Sequence, residues 1–340
     1  MNTTQRVTVL MPVYNGGKFL SEAIESILNQ TYREFEFLII NDGSTDNSEE
    51  IIKGYNDSRI IYVENEKNIG LIQTLNKGLG LINSDYIARM DADDISFPTR
   101  LEKQIKFMDQ NKDIAVSGTS IQLFDERGWK KNYIVRKDPL QIKTQLLFYS
   151  ALMHPTVILR RKIIVEGNFT YNEAHQSLED FGLWQKISFE HKLSNIQEVL
   201  LKYRINESGI TQVAEKDMDK RDIMQMRVYQ QAFEYLNVSI DNKELKKYRL
   251  FIAGSAFNDK DNIAIIAKLL KSLKRSIEND GYDLGMFYKI MNGYFRKNCS
   301  NSGFNFQESS DIYKEFFTDL FKYSFTDKLK FAIRRYLFKY

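Results

Sequence analysis

Over its first 118 residues the chain alternates short apolar runs with segments of helical period, and few folds accommodate that order. VTVLM (7–11) is followed by a turn at Asn15-Gly16-Gly17 and by FLSEAIESILNQ. There Phe19, Ala23 and Ile27, and alongside them Leu20, Ile24 and Leu28, recur at i, i+4 spacing. FEFLII (35–40) leads into Asn41-Asp42-Gly43-Ser44-Thr45-Asp46, residues that favour turns and helix caps. IIYV, a helix over 71–81, YIARM, a helix after Pro98 and IAVSG (114–118) complete the series. Strands separated by helices predict right-handed crossovers and a mostly parallel central sheet with flanking helices, a Rossmann-like α/β architecture. In such a sheet ligands bind beyond the carboxyl ends of the strands. The polar clusters PVYN, NDGSTD and DADD all fall there.

The fourth strand, YIARM, runs directly into Asp91-Ala92-Asp93-Asp94. If the pleat continues, Asp91 and Asp93 project to one side of it. Two such charges ~6 Å apart, at an effective dielectric of ~20, repel by about 3 kcal/mol. A divalent cation turns that repulsion into attraction, and hard cations prefer carboxylate oxygen. The cation can then bridge to a diphosphate and stabilise a leaving group. The competing reading is a solvated acidic turn that caps the next helix, and Asp94 suits such a structural cap.

Composition narrows the classes further. A hydrophobic content of 43% with 27% charged residues is that of an ordinary globular chain. A net charge of +3 over 340 residues gives no electrostatic footprint for nucleic acid. The one cysteine, Cys299, excludes an internal disulfide and a cysteine-built metal site. MNTTQRVTVLMPVYN is not organised as a secretory signal, and no run approaches the ~18 apolar residues of a membrane span. These features point to a cytoplasmic protein. The absence of G-x-G-x-x-G and G-x-x-x-x-G-K-[ST] leaves dinucleotide-dehydrogenase and P-loop readings without their phosphate loops.

Taken in order, VTVLMPVYNGGKFLSEAIESILNQTY, FEFLIINDGSTDNS, NEKNIGLIQTLNKGL and YIARMDADDISFPTRLEKQ resemble the family 2 glycosyltransferases, which have the GT-A fold. MHPTVILRR and LEDFGLW resemble the acceptor-side half of the same catalytic domain. The resemblance covers roughly residues 5–205. Composition shifts after about Thr211, which gives a catalytic domain over 1–213 and a helical C-terminal region over 214–340. The resemblance implies an inverting transfer from a nucleotide-diphosphate sugar, with UDP favoured, to a hydroxyl of a saccharide or lipid-linked saccharide. It also implies Mn2+ or Mg2+ and a place in bacterial surface-polysaccharide assembly. Q-x-x-R-W, the mark of processive synthases in the family, is absent, which favours addition of a single sugar.

The resemblance also implies roles for particular residues. Pro12, Val13, Tyr14 and Asn15 line the base and ribose pocket, and Asp42 accepts a hydrogen bond from the base. Asn68 and Gly70 sit in the loop that approaches the nucleotide, and Ala92, between Asp91 and Asp93, also lines the nucleotide site. Asp93 contacts the metal directly, whereas Asp91 contacts the ribose or a metal-bound water. Arg89 either pairs with DADD or the phosphates, or has a surface or packing role. His154 is either a metal or diphosphate ligand in a closed complex or a hydrogen-bonded structural histidine. Attack on the anomeric carbon requires a base within hydrogen-bond reach of the acceptor hydroxyl. In Glu179-Asp180 the second residue takes that position and the first supports it or contacts the acceptor. An acidic pair at a helix start also suits the helix dipole alone.

The last residues, SFTDKLKFAIRRYLFKY, have the pattern of a basic amphipathic helix, and residues 321–340 carry six Lys/Arg against one Asp. Such a helix suits an anionic membrane surface, or it docks on the domain through its apolar face. Competing readings of the whole chain are a sugar nucleotidyltransferase, a catalytically silent nucleotide- or carbohydrate-binding module, and a DNA- or partner-binding protein. The first lacks a glycine-rich basic triphosphate loop. The second is opposed by the intact Asp91, Asp93 and Asp180. The third leaves the N-terminal motifs unexplained.

Overall fold

The computed structural model describes residues 5–206, 218–318 and 320. They form two compact units. One comprises the chain up to Ile142 together with Ser150–Met224, and the other comprises Lys143–Tyr149 and the residues from Gln225 onward.

The first unit is built on a nine-stranded sheet. β1 (Val7–Val13) pairs in parallel with β2 (Phe35–Asn41) on one side and with β4 (Tyr86–Arg89) on the other. β3 (Ile60–Glu64) extends this half beyond β2, again in parallel. The connecting helices are α1 (Gly17–Leu28), α2 (Ser48–Lys53) and α3 (Leu71–Leu81). All seven residues of β1 are buried, as in a strand covered on both faces. α1 turns Leu20, Ala23, Ile24 and Ile27 inward, the stripe its i, i+4 spacing predicts.

Beyond β4 the sheet changes character. β8 (Ile158–Arg160) lies antiparallel between β4 and β6 (Ile114–Phe124). β9 (Lys192–Arg204) runs parallel to β6, and the two-residue β5 (Ile95–Ser96) pairs with β9. β7 (Lys130–Tyr133) folds back on β6 as an exposed strand. The α/β architecture with a helical C-terminal region is therefore the one expected, but several local elements differ. IAVSG is only the first part of an eleven-residue strand. HPTVILRR (154–161), whose apolar run predicts a single strand, is divided: a 3-10 turn (His154–Thr156) precedes β8, and α6 (Arg161–Glu166) begins at once. β9 escapes period-two reading because its pairing shifts register within the strand.

Arg100, at the start of α4 (Arg100–Gln110), fastens β4 to the His154–Thr156 turn. Its side chain is 0% exposed. It donates from Nη2 to the Arg89 carbonyl (2.6 Å), from Nη1 to the Pro155 carbonyl (3.1 Å) and from Nε to Gln104 Oε1 (3.1 Å). Gln104 in turn donates to the Thr156 carbonyl at 2.7 Å. Burial lowers the Arg100 pKa to about 10.

In the second unit, α5 (Pro139–Gln145) runs in from the first, and the chain then continues through α8 (Met218–Tyr235), α9 (Asn242–Ala253), α10 (Lys260–Ile277), α11 (Leu284–Asn301) and α12 (Phe306–Ile312). The Lys143–Tyr149 segment belongs here. Tyr229 Oη donates to the Phe148 carbonyl (3.0 Å), and the Phe148 ring packs among Tyr248, Phe287 and Tyr294. Cys299 is a buried free thiol. No described helix is long and apolar enough to cross a membrane. The basic segment 321–340 lies outside the described residues.

Replacing Arg100 with Met should leave the Arg89 and Pro155 carbonyls without their donor. We expect a loss of at least about 2 kcal/mol in urea unfolding, with the helical unit's own transition unaffected if the two units unfold separately.

Candidate active site

The ends of β1, β2 and β4 meet in a set of interlocking loops. Asp42 follows β2 and is buried. Its Oδ1 accepts from the Asn65 amide (2.8 Å) and the Ile69 N–H (2.9 Å), and its Oδ2 accepts from the Gly70 N–H (2.9 Å). Asn68 Oδ1 accepts from the same Gly70 N–H at 2.9 Å. Asp42, Asn68 and Gly70 are thus brought together, with Asp42 holding the loop that precedes α3. A carboxylate oxygen has two acceptor positions, so one on Oδ2 is left for a ligand. Gly43 has φ +64°, and a Cβ there would lie 2.5 Å from the Lys67 carbonyl carbon. Only glycine permits this approach.

Pro12 and Val13 are buried within β1, and the Val13 carbonyl accepts from the Asp42 N–H at 2.7 Å. Tyr14 is exposed beyond the strand end. Asn15, at φ +50°, donates its N–H to Ser44 Oγ (3.0 Å) and accepts from the Thr45 N–H at Oδ1 (2.8 Å). The first two loops therefore form one surface. Ala92 approaches it, since a Cβ at Gly16 would stand 3.4 Å from Ala92 Cβ.

β4 ends at Arg89, so the pleat does not continue through the acidic run. A turn at Ala92-Asp93 instead brings carboxylate oxygens of Asp91, Asp93 and Asp94 within 4.8 Å of one another. Three arginines surround them. Arg89, 4% exposed, is ion-paired with Asp91. Arg204, the last residue of β9 and 8% exposed, donates its backbone N–H to Asp94 Oδ1 (2.8 Å) and its Nε to the Asp93 carbonyl (2.8 Å). Its guanidinium lies 4.2 Å from the Phe19 ring centroid and 4.5 Å from that of Phe124, and is paired with Glu22. Arg100 stands within electrostatic reach of Asp94 and Asp91. Asp94 therefore ties the acidic turn to β9 and does not cap α4.

Burial and the neighbouring Asp91 push Asp93 up to about 6, and Asp94 is raised well above the usual carboxylate range by burial, Asp91 and Asp93. Arg89 and the Arg204 contacts oppose both shifts. Asp94 Oδ2 and Arg89 Nε and Nη1 are buried without a hydrogen-bond partner among the described residues. Hard oxygen donors, crowded and only partly satisfied, fit a divalent cation.

The Glu179-Asp180 pair opens α7 (Glu179–Glu190), whose N-terminus has no side-chain cap. Asp180 is half-buried, with Ser150 Oγ 3.5 Å from Oδ2. Burial raises it to about 6, against the lowering effect of the Phe181 N–H and Arg89. Glu179, 6% exposed, is raised to about 7 by burial and by Asp180. Gly182 is required in the first turn, because a Cβ there would lie 2.1 Å from His175 Nδ1.

His154 is not brought into the carboxylate group. Its Nε2 is 3.0 Å from Tyr171 Oη, and its ring meets the edge of the buried Trp184. Burial and Arg89 hold its pKa well below the usual value, so the ring is neutral at pH 7. Sequence reasoning missed Arg204, Arg100 and Tyr171. Arg204 lies 110 residues from Asp94 in the chain, and its only sequence signal is its position at the end of an apolar run.

This sheet, with an acidic turn beyond its fourth strand and a carboxyl pair opening a later helix, has the GT-A fold of nucleotide-sugar-dependent glycosyltransferases. Residues 8–167 match the model of glycosyl transferase family 2. An uncharacterized glycosyltransferase of Haemophilus influenzae is 30% identical over 329 residues, covering 87% of this chain and 98% of that protein. The chain belongs to glycosyl transferase family 2. Two solved structures share the fold at low sequence identity. S. aureus TarS 1-349 in complex with UDP-GlcNAc superposes with a TM-score of 0.57 at 17% identity, covering 94% of this chain and 93% of that one. The mannosyltransferase PcManGT from Pyrobaculum calidifontis, in complex with GDP-Man and Mn2+, gives 0.53 at 14% identity, covering 98% and 88%.

Replacing Gly43 with Ala should strain the left-handed backbone and displace the Lys67–Gly70 loop. The expected cost is about 1–3 kcal/mol in chemical unfolding.

Proposed function

We propose that a catalytic domain over residues 1–213 transfers one sugar from a nucleotide-diphosphate donor to a hydroxyl of a saccharide or lipid-linked saccharide, with inversion. The observation that carries this reading is the juxtaposition of two carboxyl groups of different use about one buried cation. Asp91 pairs with Arg89, and Asp180 lies within the field of the same guanidinium. The two solved structures named above are complexes with UDP-GlcNAc and with GDP-Man and Mn2+. They support a nucleotide sugar here, and the preference for UDP rests on the family resemblance alone.

Asp93 and Asp91 would hold the Mn2+ or Mg2+, which supplies charge stabilisation for the departing diphosphate. The chain's own residues perform the remaining tasks. Tyr14 offers an exposed ring to the base, and Asp42 offers its remaining Oδ2 acceptor position. Arg89, paired with Asp91 through Nη2, keeps Nε and Nη1 as buried donors without a hydrogen-bond partner among the described residues, and diphosphate oxygens are acceptors of the kind they lack. Asp180 takes the proton of the acceptor hydroxyl as that oxygen attacks the anomeric carbon opposite the leaving group. A pKa of about 6 suits this task, since the group is ionised at neutral pH yet more basic than an ordinary aspartate.

Asp180→Asn should abolish transfer while leaving donor binding nearly intact, and a variant that still transfers sugar would remove Asp180 from the base position. Asp93→Ala should instead abolish the metal-dependent part of donor binding, measured by titration calorimetry. The pH behaviour follows from Asp180. Activity should rise with pH through an apparent pKa of about 6. For stability the sign is reversed: between the ordinary value of 3.8 and about 6 the folded state binds the extra proton, so stability falls as pH rises through that window. Asp180→Asn should therefore melt above the wild type at pH 7, with the difference shrinking toward about pH 4. Contact with an anionic membrane surface through residues 321–340 belongs to the same reading. Deleting them should lower co-sedimentation with anionic liposomes, and unchanged binding would exclude it.

A further inference from the structure

In the first unit, the hairpin of β6 and β7 presents a surface that the packing of the unit does not account for. β7 pairs with β6 alone among the described strands, and all four of its residues are exposed. Trp129 (46% exposed), Tyr133 (43%) and Ile134 (55%) stand in solvent close together in the chain. Single apolar residues on a surface need no explanation, but a group of three with two aromatic rings does. The same segment is strongly basic. From Arg127 to Lys137 there are five Lys/Arg (127, 130, 131, 136, 137) and no Asp or Glu. The acidic residues at its borders are engaged. Asp125 Oδ1 accepts from the Arg127 and Trp129 N–H groups (3.0 and 2.9 Å), and its Oδ2 lies 3.9 Å from Arg127 Nε. Glu126 is paired with Lys18 (2.6 Å), and Asp138 accepts from the Gln141 N–H (2.9 Å). The backbone that follows β7 is fixed. The buried Val135 donates its N–H to Ser120 Oγ (3.2 Å) and accepts from Gln197 (3.1 Å), and the Arg136 carbonyl accepts from Asn195 (2.7 Å). A backbone held in this way has little entropy left to lose on contact.

What covers this surface must be anionic and must also accept aromatic and aliphatic side chains. A second copy of the chain would bring the same cations against these. A soluble polyanion satisfies the charges but leaves Ile134 in water. Lysines on an edge strand also discourage pairing with another sheet, yet that role does not call for Trp129, Tyr133 and Ile134. An anionic bilayer meets every requirement. Its phosphates attract the lysines, whose stems lie along apolar surface, and Trp and Tyr settle at the level of the headgroups. We propose that this hairpin docks the first unit on an anionic phospholipid surface. It is a separate surface from residues 321–340. Phe124, the last residue of β6, packs on the Arg204 guanidinium that holds the acidic turn, and Glu126 pairs with Lys18 at the start of α1. The hairpin therefore adjoins the candidate site, and docking brings that site to the layer in which a lipid-linked acceptor would sit. That consequence rests on the transfer reading above, whereas the docking does not.

The chain has two tryptophans, and the other, Trp184, is buried. Fluorescence of the full chain therefore reports on this hairpin and not on residues 321–340. Vesicles of phosphatidylglycerol and phosphatidylcholine are titrated, with no nucleotide present, onto the wild type, Lys130→Gln/Lys131→Gln and Ile134→Ser. In the wild type the emission of Trp129 should move to shorter wavelength and become shielded from acrylamide, and phosphatidylcholine alone should produce neither change. The lysine pair should lower the vesicle partition coefficient by about tenfold or more, each charge near an anionic surface being worth about fivefold. Ile134→Ser should lower it by a smaller factor. Melting temperatures should stay at the wild-type value, since all three positions are exposed, which separates lost docking from lost folding. The proposal is overturned if the chain co-sediments with vesicles while Trp129 is unchanged, if neutral vesicles bind equally well, if no vesicle binds, or if both variants keep the full affinity. A soluble polyanion such as heparin that shifts Trp129 when vesicles do not would overturn it as well. Nucleotide takes no part in these measurements, so their failure leaves the transfer reading standing.

Discussion

Arg89 carries its charge into the interior at the end of β4, and the surrounding site is organised around neutralising it. A buried guanidinium is tolerated only with close counter-charge and hydrogen bonds. Asp91 supplies the first, and the turn that follows places Asp93 and Asp94 beside it. Three clustered carboxylates would themselves be unfavourable, and Arg204 and Arg100 offset them. The result is three aspartates against three arginines. The acidic run at a strand end is therefore balanced by the protein before any metal is considered.

That balance links parts of the chain that otherwise share little. Arg204 connects the last strand to the acidic turn, and Arg100 connects β4 to the segment bearing His154. Arg89 acts on the acidic turn and on Asp180 together. A balanced cluster has a chemical consequence. A cation arriving alone meets little net charge, whereas a cation arriving with a diphosphate brings its own counter-charge and gives the unpartnered Arg89 donors an acceptor. The geometry thus favours joint binding of metal and nucleotide over tight binding of either one.

Much of the first unit was legible because its determinants are local. Apolar runs, helical stripes and turn residues lie next to one another in the chain, and they define β1 to β4 with their helices. The positions of Asp42, Asp91, Asp93 and Asp180 at strand or helix ends were legible for the same reason. What was not legible depends on long-range partners. The register shifts of β9 hide its period, β5 is too short to show one, and Arg204 acquires its meaning only from contacts 110 residues away. Asp42 illustrates a different limit. Its place at a strand end could be read, but not that its carboxylate is largely occupied in holding Ile69 and Gly70. The inclusion of Lys143–Tyr149 in the helical unit could not be read either, since Tyr229 and the Phe287 ring that receive it lie far along the chain.

The most direct test of this charge-balanced site is Mn2+ binding followed by electron paramagnetic resonance, with and without UDP or GDP. The account predicts weak Mn2+ binding to the protein alone and markedly tighter binding once one of the nucleotides is present. By linkage, Mn2+ should tighten that nucleotide by the same factor. Mn2+ binding that is unaffected by either nucleotide would contradict it.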